Sequence, residues 1–135
     1  MGIDHNKTTV REFSGAMNNG DLDAQLALCS EEVVFNVSGT TGASGLNEGK
    51  PAVRHHLQNF ATLVQADARM EVRELIAEGD IVVCLSEGTM QARTGMAYNN
   101  SYGFVFRFHD SLIFSVTEFL DTVLVETALF GKHVS

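Results

Sequence analysis

The sequence predicts an α+β domain, with helices gathered in its first half and packed on one face of an antiparallel sheet built from its second half. Two observations carry this reading. Apolar residues recur at helical spacing in three segments before residue 65, and from residue 72 onward they alternate with period two between short turn signals. The chain has 135 residues, of which 44% are hydrophobic, enough for one domain over 1–135 with a real core.

Val10, Phe13 and Met17 recur at three and four along residues 8–19, as on a one-faced helix, and "NNGD" at 18–21 stops it. Asp21 is a good N-cap for a second helix with Leu22, Leu26 and Cys29 on one stripe. "EVVFNVSG" at 32–39 reads as a strand. Residues 39–49 hold four of the twelve glycines and one bulky apolar side chain, Leu46, so a mobile loop able to serve as a lid is expected there. Pro51 suits the first turn of a third helix, on which Val53, Leu57, Phe60 and Val64 share a face. Val72, Glu74 and Ile76, a turn at 78–80, and residues 81–90 make a hairpin. Residues 96–108, a turn at 109–111 and residues 112–125 supply two more long strands.

The net charge of -8 offers no basic stripe for phosphates, which argues against nucleic acid and anionic membranes as partners and for a neutral or apolar one. Cys29 and Cys84 form neither a disulfide framework nor a zinc site, and two reduced thiols suit a cytoplasmic protein. No signal peptide is visible at the N-terminus, and no apolar run reaches the ~18 to 20 residues of a spanning helix. Both faces of the last strands are apolar. One layer of helices covers only one face, so a homodimer through the outer face of the sheet is expected.

Four segments, "NNGDLDAQLALCSEEVVFNVSG", "EGKPAVRHHLQNF", "IAEGDIVVCLSEG" and "YGFVFRFHDSLIFSVTEFLDT", together resemble the SnoaL-like, ketosteroid-isomerase-like branch of the nuclear transport factor 2-like superfamily. The resemblance spans residues 8–125. It implies a cone-shaped domain, a cystatin-like roll, in which a curved antiparallel sheet wraps around the N-terminal helices and leaves a central apolar pocket. Dimers are usual for such folds, and activities range from isomerases, polyketide cyclases, dehydratases and epoxide hydrolases to plain binding domains, so the fold does not name the reaction.

Candidate site residues follow. Glu118 and Asp121 are three apart on a strand, so they point to opposite faces and only one can face the pocket. The resemblance to the polyketide cyclases, whose closing strand carries an "E-aromatic-x-D" motif, makes Asp121 the expected general acid/base and sends Glu118 to the other surface. Burial in an apolar cone would raise its pKa toward neutrality; the plain alternative is that Asp121 only caps or solvates a strand end. His56 falls within the apolar stripe of the third helix, with His55 turned roughly 100° away, and is either a proton carrier or a core histidine. Tyr102 shares a strand face with Asn100 and either binds a carbonyl oxygen or continues the aromatic row of Phe104, Phe106 and Phe108.

The expected lining is Phe13, Met17, Phe35, Asn36, Phe60, Leu63, Asn100 and Phe119. Asn36 stands where the resemblance to ketosteroid isomerase places the proton-abstracting Asp, which argues against that route; "VVCLSEGTM" offers Glu87 but no Arg, which argues against epoxide hydrolysis. No metal-ligand cluster, phosphate loop or nucleophile elbow occurs, and no cofactor is implied. The expected function is a small-molecule pocket acting on an apolar carbonyl or enol compound as a cofactor-free isomerase, cyclase or dehydratase. The rivals are a non-catalytic carrier or sensor of an apolar ligand, and a dimerisation module without one.

Overall fold

The computed structural model describes residues 2–133. Helix α1, Ile3–Asn18, and helix α2, Leu22–Ala27, are followed by strand β1, Cys29–Val37, and strand β2, Gly45–Glu48. Helix α3, Lys50–Leu63, precedes four long strands: β3, Arg69–Glu78; β4, Ile81–Thr89; β5, Ser101–His109; and β6, Leu112–Leu120. Helix α4, Thr122–Leu124, runs into a π-helical turn, Val125–Leu129.

The helices form where the sequence places them. Asp21 accepts a hydrogen bond from Ala24 N at 3.0 Å and caps α2, and Pro51 sits in the first turn of α3. Asn18 does more than end α1. Its side-chain amide donates to Met70 O at 2.8 Å and accepts from Met70 N at 2.7 Å, which ties the end of α1 to the start of β3.

The six strands lie in the order β2-β1-β6-β5-β4-β3. The sheet is mixed and unclosed rather than antiparallel throughout, because β1 runs parallel to β6 while every other neighbour is antiparallel. Register shifts at Val72/Glu74 and Arg107/Phe108 insert extra residues into β3 and β6, and such bulges bend a sheet around what it packs against. The inner face holds the core: Val82, Cys84, Phe106, Phe108, Ile113 and Val116 meet Val10 and Phe13 of α1 and Val53 of α3.

Two expectations are corrected. Residues 39–49 are not an unstructured loop: residues 45–48 form β2 on the edge of β1, and the Ser44 hydroxyl bonds Thr41 N, Thr41 Oγ1 and Ser38 O. Gly42 lies against the Phe130 ring, where a Cβ would come within 3.0 Å of it, and its N–H donates to Glu126 at 3.0 Å. Nor does the last strand run to residue 125. It ends at Leu120, and Asp121 caps α4 by accepting from Leu124 N at 3.1 Å.

The stop is fixed from β5's approach segment. Asn100, 1% exposed, accepts from Asp121 N at 3.0 Å and donates to Asp121 O at 3.1 Å and to Tyr98 Oη at 3.2 Å. Replacing Asn100 by Leu strands the Asp121 N–H, leaves Asp121 O with the Val125 N–H alone at 3.3 Å and removes the donor to Tyr98 Oη, and the expected loss is about 3 kcal/mol in urea denaturation. Asp121→Ala removes only the exposed cap, with an expected loss of ~1 kcal/mol. Equal, small losses from both variants would show that Asn100 is not the clamp.

Candidate functional site

The curve of the sheet encloses a chamber of about 80 Å³ between the helices and strands β1, β5 and β6. Its walls are chiefly apolar: Phe13 and Met17 from α1, Phe35 and Val37 from β1, Leu57 and Phe60 from α3, Phe104 and Leu120 from the sheet. Val125 and Leu129 of the C-terminal turn close one end. A second, more polar space of about 190 Å³ lies outside it, between residues 42–47 and α3, and includes Ser44, Asn47, His55 and Asn59. Ala43, His56 and Phe60 border both spaces.

The carboxyl group in the chamber is Glu118. On β6 the residues Ile113, Val116, Glu118 and Leu120 turn inward, while Phe119 is 51% exposed on the outer face. Glu118 pairs with Phe104 on β5 and with Val37 on β1, so its carboxyl emerges between apolar neighbours. No hydrogen bond or ion pair to it occurs among the described residues, and burial alone pushes its pKa from 4.5 to about 7. Asp121, expected here, instead carries its exposed side chain at the N-terminus of α4 and does not line the chamber.

Two phenols border the same space. Tyr102, diagonal to Glu118 across β5 and β6, is 5% exposed and stacks on Phe104 with ring centroids 5.3 Å apart. Its hydroxyl is buried without a well-formed hydrogen bond. Burial first, then the neighbouring Tyr98 and Glu118, push its pKa well above 10, so it stays protonated and able to donate. Tyr98 accepts from Asn100, and its pKa too is raised, chiefly by burial.

His56 faces the chamber from α3, its ring 5.1 Å from that of Phe35. Burial, then the neighbouring His55, lower its pKa below 6.5, so it is neutral at physiological pH.

The structure therefore brings together His56, Tyr102, Phe13, Met17, Phe35 and Phe60 as expected, and places Leu63 on the outer space. Asn36, Asn100 and Phe119 do not line the chamber: Asn36 alternates with inward Phe35 and Val37, Asn100 is spent on the Asp121 backbone, and Phe119 points outward. The polar lining residues missed are Glu118, Tyr98 and Gln25. Glu118 had a signal, since a β6 that turns Val116 and Leu120 toward the core must turn residue 118 with them.

A family model described as a SnoaL-like domain matches residues 10–116. No curated protein sequence matches with significance. Among solved structures, an NTF2-like protein of unknown function from Burkholderia pseudomallei superposes with a TM-score of 0.86 at 23% identity, covering 96% of this chain and 98% of that one. A provisionally assigned isomerase from Bacillus subtilis gives 0.86 at 20% identity, with 100% of both chains covered. A provisionally assigned SnoaL-like polyketide cyclase from a Jannaschia species gives 0.79 at 17% identity, covering 96% and 94%. At these identities the likeness shows the fold.

A carboxyl whose pKa is about 7 in the folded chain and near 4.5 unfolded holds its proton across that window only in the folded state. Its contribution to stability is therefore highest below pH 4.5, falls as pH rises to 7 and is flat above, a change of ~3 kcal/mol. Glu118→Gln removes this slope without touching the other titrating groups, so the variant should gain stability over the parent between pH 5 and 8. Parallel stability curves for the two proteins would contradict the placement of the carboxyl.

Proposed function

The chain belongs to the SnoaL-like domain family, and we propose that it is a cofactor-free acid/base catalyst for an apolar carbonyl or enol compound, of the isomerase, cyclase or dehydratase type. The observation that carries this reading is the Glu118 carboxyl, unpartnered among the described residues, in an apolar chamber with the Tyr102 hydroxyl, which makes no well-formed hydrogen bond. A group with a pKa about 7 is present in both forms at neutral pH, so it takes a proton and returns it without a large mismatch in either direction.

In the proposed cycle the carbonyl oxygen accepts a hydrogen bond from Tyr102 Oη. Glu118 removes a proton from the adjacent carbon; the C–H electron pair becomes the enolate C=C, and the charge moves to the oxygen held by Tyr102. The protonated Glu118 then delivers the same proton to another carbon of the ligand, or to a leaving oxygen. Neutral His56 orients the ligand from the α3 side. Asp121 has no part in this cycle; its carboxylate belongs to the helix cap.

The test is deuterium incorporation at the α-carbons of cyclohexanone and 2-indanone in D2O, followed by proton NMR. The parent protein should exceed buffer by about 10²- to 10⁴-fold, Glu118→Gln should fall to background, and Tyr102→Phe should lose most of the gain. Asp121→Asn should exchange at the parent rate. Binding of both ketones with no exchange above buffer would instead establish the carrier reading. Binding of neither would favour the dimerisation module without a ligand, the reading that the chamber's small volume of about 80 Å³ supports, since drug-sized pockets start at ~300 Å³.

We also propose that two copies pair through the outer face of the sheet. Strand register sets Ile76, Val83, Val105, Thr117, Asn36 and Leu46 in one cross-strand row, with Leu85, Gly103 and Phe119 in the next. Ile76 is 51% and Leu46 59% exposed, and no helix covers this face among the described residues. Sedimentation should give a dimer at micromolar concentration, and Phe119→Asp should give a monomer that keeps its far-ultraviolet circular dichroism. A parent protein that sediments as a monomer would remove the claim.

A further inference from the structure

We propose that Gln25 is a second ligand-binding residue and that the ligand carries two oxygen acceptors, one for Tyr102 and one for the Gln25 amide. This rests on the reading of the chamber as a ligand site. Gln25 lies on α2 with 4% of its surface exposed, and it lines the chamber with Phe13, Phe35 and His56. Its side-chain Nε2 is buried and makes no hydrogen bond.

A helix that packs on α1, α3 and β1 has no structural need for an amide here; a Leu or Met would fill the same space without desolvating a donor. The Tyr102 hydroxyl, beside the Tyr98 phenol, is also buried without a well-formed hydrogen bond. Both side chains line the same apolar space, and a ligand that brings oxygen atoms into it would supply the acceptors that these donors lack. They come from different elements, α2 and β5, and Glu118 projects into the same chamber from β6. A ligand held at two oxygens from two walls is fixed in orientation, which selects the carbon presented to the carboxyl. The chemical class is a compact, ring-sized dioxygenated compound such as a diketone or its enol.

The test compares binding of cyclohexanone, 1,3-cyclohexanedione and 1,4-cyclohexanedione by calorimetry, at a pH below the acidity of the enolised dione. At least one dione should bind about tenfold tighter than the monoketone, the equilibrium effect of one added neutral hydrogen bond. Gln25→Met should remove that margin, bringing dione and monoketone to the same affinity in the variant. Both diones binding no tighter than the monoketone, or a margin that survives in Gln25→Met, would overturn the proposal; the second result would mean that the amide serves a buried water. Glu118→Gln serves as the control, since it abolishes exchange in the reading above but should keep the dione margin.

Discussion

The amide of Asn100 fixes the geometry on which the chamber depends. It holds both backbone groups of Asp121, so β6 ends one residue earlier, and the chain turns there into α4 and the π-helical turn. That turn carries Val125 and Leu129 against the open end of the curved sheet. The same amide holds Tyr98 Oη, which borders Tyr102. One buried side chain thereby ends a strand, closes a cavity and positions a phenol, and its donors and acceptor are fully used in doing so.

Polar groups inside the chamber differ from Asn100 in this respect. Among the described residues Glu118 has no partner, and the Tyr102 hydroxyl and the Gln25 amide nitrogen are buried without a well-formed hydrogen bond. Each opposes folding by the loss of its hydration, on the order of 1 to 3 kcal/mol for an unpaired neutral group. Apolar replacements of similar shape would relieve that strain. These three side chains line one space, and the proposed ligand would complete their hydrogen bonds there; the Asn6 Oδ1 and Ser30 Oγ atoms, which do not line it, are also buried without partners.

Most of the architecture was readable from the sequence, because helical and strand periodicity are local properties: the stripe of Val10, Phe13 and Met17, the cap at Asp21 and the alternation of Phe104, Phe106 and Phe108 all appear in the structure. What was not readable depends on partners distant in sequence. The parallel pairing of β1 with β6 joins residues about eighty positions apart, and β2 forms because β1 offers it an edge, against the loop signal of its flanking glycines. The choice between Glu118 and Asp121 failed for a related reason. Alternation continued past Leu120 puts residue 121 beside Phe119 and Thr117, and a one-residue error in phase exchanges the two faces of a strand. Asn100 ends that alternation from outside β6, and a cap residue obeys helix geometry rather than the strand period. His56 and Tyr102, by contrast, line the chamber as their periodicity predicts, because each sits on an element whose phase is set by several apolar neighbours.

The direction of the Glu118 shift has a consequence for ligand entry. Its pKa is raised by burial, with no cation nearby to hold the charged form. A ligand that fills the chamber and expels the remaining water deepens that desolvation and favours the protonated acid, so binding an apolar molecule and taking up a proton are thermodynamically coupled, each strengthening the other. A ligand oxygen that becomes enolate beside Glu118 acts in the same sense, because a second negative charge in the chamber disfavours the carboxylate. The two effects reinforce each other within one small space. A carboxyl poised near neutrality by desolvation alone is therefore more responsive to the ligand's own charge than one held by a salt bridge, whose partner would dominate the local field.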